Sequence, residues 1–332
     1  MIYLGEQLEA LDKFSSAIYC WVKSKHLGRL KENNKNGYKC DDLDCSVCTR
    51  DLKKIIGHDR FFDFIIPKLD EVIKAKPDKM LQLELRLRAE WWIEVNQDVK
   101  EFNDACSEIL SKKGYQGWFT DTKGMNYYLA EWLDQHTCTF CNRQYIFTAR
   151  KNAKEKGMTC QFDHWFDKGS RPLFALSFYN LIPSCSVCNS SVKSVSHFNT
   201  DEYLHPYLDK DISSRFKFSS IPNTATQYGI TFLNENKMDA KTKRTLDGLG
   251  TKLVYSKHSE KELQDLIDLR LKYSENYLKN LLENTFEGEM SMTKEEKYRL
   301  IFGVELEEDK YHKRIFSKFK NDIIKELLSI KN

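Results

Sequence analysis

Four cysteines in two pairs, Cys138 with Cys141 and Cys185 with Cys188, have the spacing of a tetrahedral metal site. Each C-x-x-C turn sets two sulfurs on one side at the separation a zinc ion requires, and four thiolates complete its coordination. A redox dithiol needs one pair only, and cysteines kept as small hydrophobes have no reason to come doubled. The pattern points to structural Zn²⁺. A closed four-sulfur site has no open position for substrate, so such an ion is a staple for a segment too small to hold itself together. Cys40, Cys45 and Cys48, with His58, are less regular in spacing; they read either as a second zinc site or as free thiols in a polar loop. Cys20, Cys106 and Cys160 stand apart and read as buried small hydrophobes.

Between and just after the two pairs come Asp163-His164, Asn180 within YNLIPSC, and Asn189 directly behind the last cysteine. That order resembles the HNH nucleases of the ββα-metal class, over the stretch from Cys138 to about His205. The resemblance implies phosphodiester hydrolysis, which needs a base for water, a cation to absorb charge on phosphorus and the leaving oxygen, and rigid positioning of both. It assigns His164 as general base, a role suited to an imidazole whose ordinary pKa is about 6.5. Asp163 becomes a hard oxygen ligand for Mg²⁺ or Mn²⁺, and Asn189 the other ligand, where the family carries His or Asn. Asn180 braces the loop that holds the base. His197 ranks second as a ligand. Lys193 would follow Asn189 by one helical turn and suits a phosphate, or is a solvated lysine. His205, in LHPY, is either a further site residue or a structural hydrogen-bonding histidine. In a regular strand Asp163 and His164 face opposite ways, so a bend or strand end is expected there.

The wider pattern, with CTFCNRQY before the site, HPY after it and KRIFSKFKNDIIKEL near the end, resembles bacterial HNH proteins of anti-phage defence, such as the nuclease subunit of the Septu system. This kinship implies an endonuclease acting on double-stranded DNA and leaving 5′-phosphate and 3′-hydroxyl ends, with an ATPase partner subunit. Two alternatives stay open: a zinc-stapled nucleic-acid-binding module without catalysis, and an HNH nuclease that cuts RNA, because such a site touches the phosphate and does not read the sugar.

The elements that must carry these residues are mostly helical. A length of 332 residues suggests two or three packed units, and a 41% hydrophobic, 13% aromatic composition with few Gly and Pro excludes a disordered chain. The expected class is α+β, mainly α-helical: an N-terminal helical region over 1–115, an HNH core with zinc knuckle over 116–210, and a mainly helical region over 211–332. No run of about 18 apolar residues and no signal-peptide layout is visible, which leads to the expectation of a cytoplasmic protein without membrane attachment.

Periodicity predicts a helix from about Leu83 to Lys113, with Trp92, Val95, Val99, Phe102, Cys106 and Ile109 on its apolar face and Lys112-Lys113-Gly114 at its C-terminus. Gln144 to Thr148 and Gln161 to Phe166 are predicted strands, and Phe216 to Phe218 with Tyr228 to Leu233 a small antiparallel element. Ser259 with Glu262 and Thr293 with Glu296 fit the capping box. Leu263, Ile267, Leu278 and Leu281, then Phe316, Phe319, Ile323 and Leu327, supply apolar helix faces. The net charge of +3 decides nothing about partners. Locally, from Cys138 to Thr200, eight basic residues oppose three acidic ones, which favours a phosphate-rich ligand or marks a basic solvated face.

Overall fold

The computed structural model describes residues 1–40, 53–122, 124–149, 157–192, 198–284 and 292–328. Cys45, Cys48, Lys193 and His197 lie outside the described residues. The class is α+β and mainly helical, with a buried four-cysteine cluster. Among the described residues, six α-helices precede the first strand: α1 (Leu8–Leu27), α2 (Asp59–Ile65), α3 (Leu69–Lys74), α4 (Pro77–Val95), α5 (Val99–Cys106) and α6 (Met125–Leu133). Strands β1 (Gln161–His164) and β2 (Leu181–Ser184) form one antiparallel pair, and β3 (Phe218–Pro222) and β4 (Tyr228–Phe232) another. Helix α7 (Ile212–Arg215) lies between the two pairs, and α8 (Ala240–Gly248), α9 (Thr251–Ser256), α10 (Gln264–Lys272), α11 (Glu275–Asn284), α12 (Lys294–Phe302) and α13 (Ser317–Leu327) follow them.

The predicted helix over 83–113 is two α-helices and part of a third segment. Asn96 turns left-handed after Val95, and Asp98 restarts the chain by accepting the backbone N–H of Lys100. The burial phase also differs. Trp91 is buried whereas Trp92 is 58% exposed, because Phe61, Phe64 and Phe102 pack round the Trp91 ring and fix which face of α4 turns inward. Gly114 does not end the helix. A π-helical segment runs through it from Ser107 to Thr122, and a Cβ at 114 would meet Leu176 Cδ1 at 2.8 Å and the Ile109 carbonyl oxygen at 3.1 Å. The glycine serves close packing, against the loop that later carries the candidate site.

That π-helical segment and α1 form the bed of the site. Trp118 stacks on Trp21 with ring centres 5.2 Å apart, and Phe119 packs on Phe14 and on Phe162 of β1. Burying such rings contributes about 2–3 kcal/mol each relative to leaving them exposed. Gln144 to Thr148 is not a ladder strand. Thr137 bridges Tyr145 and Ala149 bridges Met158 as isolated pairs, while Asn142, left-handed at φ 49°, starts the turn back after Cys141. β1 stops at His164, two residues short of the expectation, where the chain bends.

The predicted antiparallel element is present, with its first strand at Phe218–Pro222 in place of Phe216–Phe218 and its second at Tyr228–Phe232. Thr293 and Glu296 form the capping box of α12. Ser259 does not cap, since its helix starts after His258 with no side-chain cap. Leu263, Ile267, Leu278, Phe316, Phe319 and Ile323 are buried, and Leu281 and Leu327 half-buried. No helix of the described residues is long and apolar enough to cross a membrane.

Candidate metal centre and adjoining cavity

The sulfurs of Cys138, Cys141, Cys185 and Cys188 lie within 4.8 Å of one another and all four residues are buried. Tetrahedral zinc with Zn–S bonds of about 2.3 Å needs sulfurs roughly 3.8 Å apart, so this donor set fits Zn²⁺. The first turn is built by backbone bonds. Asn142 N donates to the Cys138 oxygen at 2.8 Å, Cys138 N donates to the Gln144 oxygen at 2.9 Å, and Arg143 N points at Cys141 Sγ at 3.5 Å. Asn189 N donates to the Cys185 oxygen at 3.0 Å in the second turn. Burial pushes the Cys138 thiol up, while hydrogen bonds from neighbouring thiols hold Cys141 down. A buried cluster of this kind cannot carry four thiolates without a cation to compensate them.

Asn142 is a residue whose weight the spacing alone did not reveal. Its buried amide donates to Thr137 Oγ1 (2.9 Å), the Tyr311 oxygen (3.0 Å) and the Arg314 oxygen (3.1 Å), and its own oxygen accepts from Lys318 N at 3.3 Å. The first cysteine turn is thereby tied to the start of α13, more than 160 residues away in sequence.

Asp163, His164 and Asn189 line one cavity of about 730 Å³. Asp163 and His164 are adjacent in β1, yet both reach it because the strand ends at His164 and the wall wraps round that end. The His164 ring is half-buried, edge-on to Tyr115 at 4.3 Å, and its Nε2 lies 3.0 Å from the Ala175 carbonyl oxygen. A carbonyl only accepts, so Nε2 carries the proton and Nδ1 is the basic nitrogen of the neutral ring. Tyr115 donates its hydroxyl to the Phe162 oxygen at 2.9 Å; burial, and then the Asp163 charge, push its phenol well up. The tyrosine therefore stays neutral, with its hydroxyl committed to the Phe162 carbonyl.

Asn180 is fully buried at the start of β2. Its Oδ1 accepts from Phe166 N at 2.7 Å, and its Nδ2 donates to the oxygens of Phe166 (3.1 Å) and Phe174 (3.0 Å). One side chain thus clamps both ends of the loop between the strands. Asn189 donates its Nδ2 to Gln161 Oε1 at 2.8 Å, which leaves the amide oxygen as its atom for a hard cation. Asp163 and Asn189 are oxygen donors that line the same cavity.

Other expected residues lie elsewhere. His205 is buried and is not among the residues lining this cavity; its Nδ1 accepts from Tyr207 N at 3.1 Å and its ring lies 4.4 Å from that of Trp165. His58 lies half-buried before α2, beside a different cavity of about 740 Å³, and Cys40 is half-exposed. Cys20, Cys106 and Cys160 are buried. The cavity also gathers Tyr115, Lys168 and Arg171, which the motif did not single out.

No family model matches the chain, and no solved structure does. Over 62 residues the chain is 40% identical to a protein named ea31 of Escherichia phage lambda. The match takes in 18% of this chain and 21% of that protein, so the chain spans about a fifth of the length of the curated relative it matches.

Proposed function

We propose that this chain is an HNH-type phosphodiester hydrolase acting on DNA, with a structural zinc knuckle. The observation that supports the reading is that His164, Asp163 and Asn189 line one cavity, with the His164 ring oriented by the Ala175 carbonyl. In this reading the Nδ1 of His164 takes a proton from the attacking water. Asn180 keeps that ring in place by clamping Phe166 and Phe174 on either side of the intervening loop. Asp163 and Asn189 would hold Mg²⁺ or Mn²⁺, which when bound supplies charge stabilisation at the phosphate. Cys138, Cys141, Cys185 and Cys188 would hold Zn²⁺, whose part is to join the two turns that flank β1 and β2. A role in anti-phage defence beside an ATPase subunit rests on the sequence resemblance alone.

The test is incubation of the purified chain with plasmid and with RNA, in Mg²⁺, Mn²⁺ or EDTA, beside His164→Ala. Metal-dependent cutting that falls at least about a hundredfold in the variant, with zinc content and melting temperature unchanged, is the expected result. Equal behaviour of both proteins would leave a zinc-stapled binding module. Cutting of RNA alone would move the substrate to RNA.

A further inference from the structure

Arg171 enters the cavity wall from the loop between β1 and β2, and it does not stand there alone. Its Nη1 pairs with Oε2 of Glu84, a residue of α4 that is 1% exposed. Glu84 already has a partner one helical turn on, since Arg88 Nη2 donates to its other oxygen at 2.8 Å. A buried carboxylate needs one compensating cation. Glu84 has two, so the group carries a net positive charge at the cavity wall. Arg171 keeps 36% of its side chain exposed, and a guanidinium has five N–H donors in a fixed fork, of which Glu84 engages only part.

The rest of the loop agrees. Asp167 is committed to the turn, its Oδ2 accepting from Ser170 N at 2.8 Å and its backbone oxygen from Arg171 N at 2.9 Å. Lys168, on the same wall, holds its ammonium 5.5 Å from the centre of the Tyr115 ring, the ring that packs on His164. Two cations thus share the cavity with the histidine and with the carboxylates of Asp163 and Asp167, and one of the cations is preset by a carboxylate from a different part of the chain.

We propose that Arg171, held in place by the buried carboxylate of Glu84, binds a backbone phosphate of the nucleic-acid substrate, with Lys168 beside it. The proposal rests on the hydrolase reading for the class of ligand. Glu84 is then a positioning residue, and α4 is part of the substrate site.

The measurement is equilibrium binding of a short labelled DNA duplex to the full chain across a salt series, with no divalent cation added, so that binding is read without cutting. Arg171→Ala should bind about tenfold more weakly, with the slope of log affinity against log salt reduced by about one, the loss of one phosphate contact. Arg171→Lys should keep that slope and recover only part of the affinity. Glu84→Gln adds a positive charge to the site. If Glu84 positions Arg171, binding weakens all the same; tighter binding would overturn the positioning role. Native affinity and slope in Arg171→Ala overturn the proposal outright, and that variant pair decides it if Glu84→Gln does not fold. A chain that binds through Arg171 but never cuts sinks the hydrolase reading and leaves this one standing. A chain that cuts while Arg171→Ala binds normally does the reverse, and a chain that does not bind the duplex at all overturns this proposal.

Discussion

The side chain of Asn180 grips the backbone of Phe166 at both of its polar groups, accepting from N at 2.7 Å and donating to O at 3.1 Å. The same amide also reaches the Phe174 oxygen at 3.0 Å. One residue at the head of β2 thereby sets the path of the loop that follows β1, and with it the carbonyl of Ala175 that orients His164.

Asn180→Ala leaves the buried N–H and the buried carbonyl of Phe166 without their partner, while the Phe174 carbonyl keeps its bond from Ser177 N at 3.1 Å. Each orphaned group costs about 1–3 kcal/mol, relieved in part where water enters, so a loss of about 3 kcal/mol in urea unfolding is expected. A midpoint equal to that of the native chain would show that the loop holds its path without the clamp.

Metal analysis of the purified chain should return one zinc per molecule from the four-cysteine cluster. Cys185→Ser should lower that count and the melting temperature together, because the free energy of binding such an ion is folding free energy. Cys160→Ser, which alters a buried thiol outside the cluster, should retain the ion. A count of two would assign a second ion to the group formed by Cys40, Cys45 and Cys48.

Gly114→Ala tests the packing account of the π-helical segment. In an exposed helix interior that change stabilises by up to about 1 kcal/mol. Here the new methyl would meet Leu176 Cδ1, the Ile109 oxygen and Trp21 Cη2 at 2.8, 3.1 and 3.3 Å. Crowding of this kind costs about 1–3 kcal/mol, so thermal unfolding should occur at a lower temperature than in the native chain. An increase would mean that the neighbours yield freely.

Acid should weaken the fold through histidines as well as through the cysteines. Burial and then Lys313 hold His312 below the ordinary histidine range; burial and then Arg143 do the same to His258, whose Nε2 accepts from Arg143 Nη1 at 3.1 Å. A group with a lowered folded pKa takes up a proton on unfolding. Its contribution is therefore fully favourable above about pH 6.5 and is lost as the pH falls through that value toward the lowered one. His312→Gln should flatten the decline of melting temperature over this interval relative to the native chain, with any acid loss at the metal centre common to both proteins. Parallel curves would remove His312 from the account.

Local chemistry in the sequence determined a good deal. Two C-x-x-C turns imply a four-sulfur cluster because thiol spacing within a turn is a property of a few bonds, and the cluster is present. Thr293 and Glu296 cap α12 for a similarly local reason. The order of the motif singles out Asp163, His164, Asn180 and Asn189, and the first two and Asn189 share a cavity. Asn180 stands behind the wall as the clamp.

Tertiary packing decided the rest. Which of Trp91 and Trp92 is buried depends on Phe61, Phe64 and Phe102 arriving from other helices, and adjacent residues have nearly equal claims by periodicity alone. Gly114 sits where a helix end is expected, yet its missing side chain makes room for Leu176, 62 residues away. Glu84 and Arg171 are 87 residues apart, and Asn142 reaches Arg314 across 172. Short-range rules describe the turns and caps, whose partners are a few residues away. Side chains that meet only after the helices pack are selected by the free energy of the whole core, and no window along the chain contains both members of such a pair.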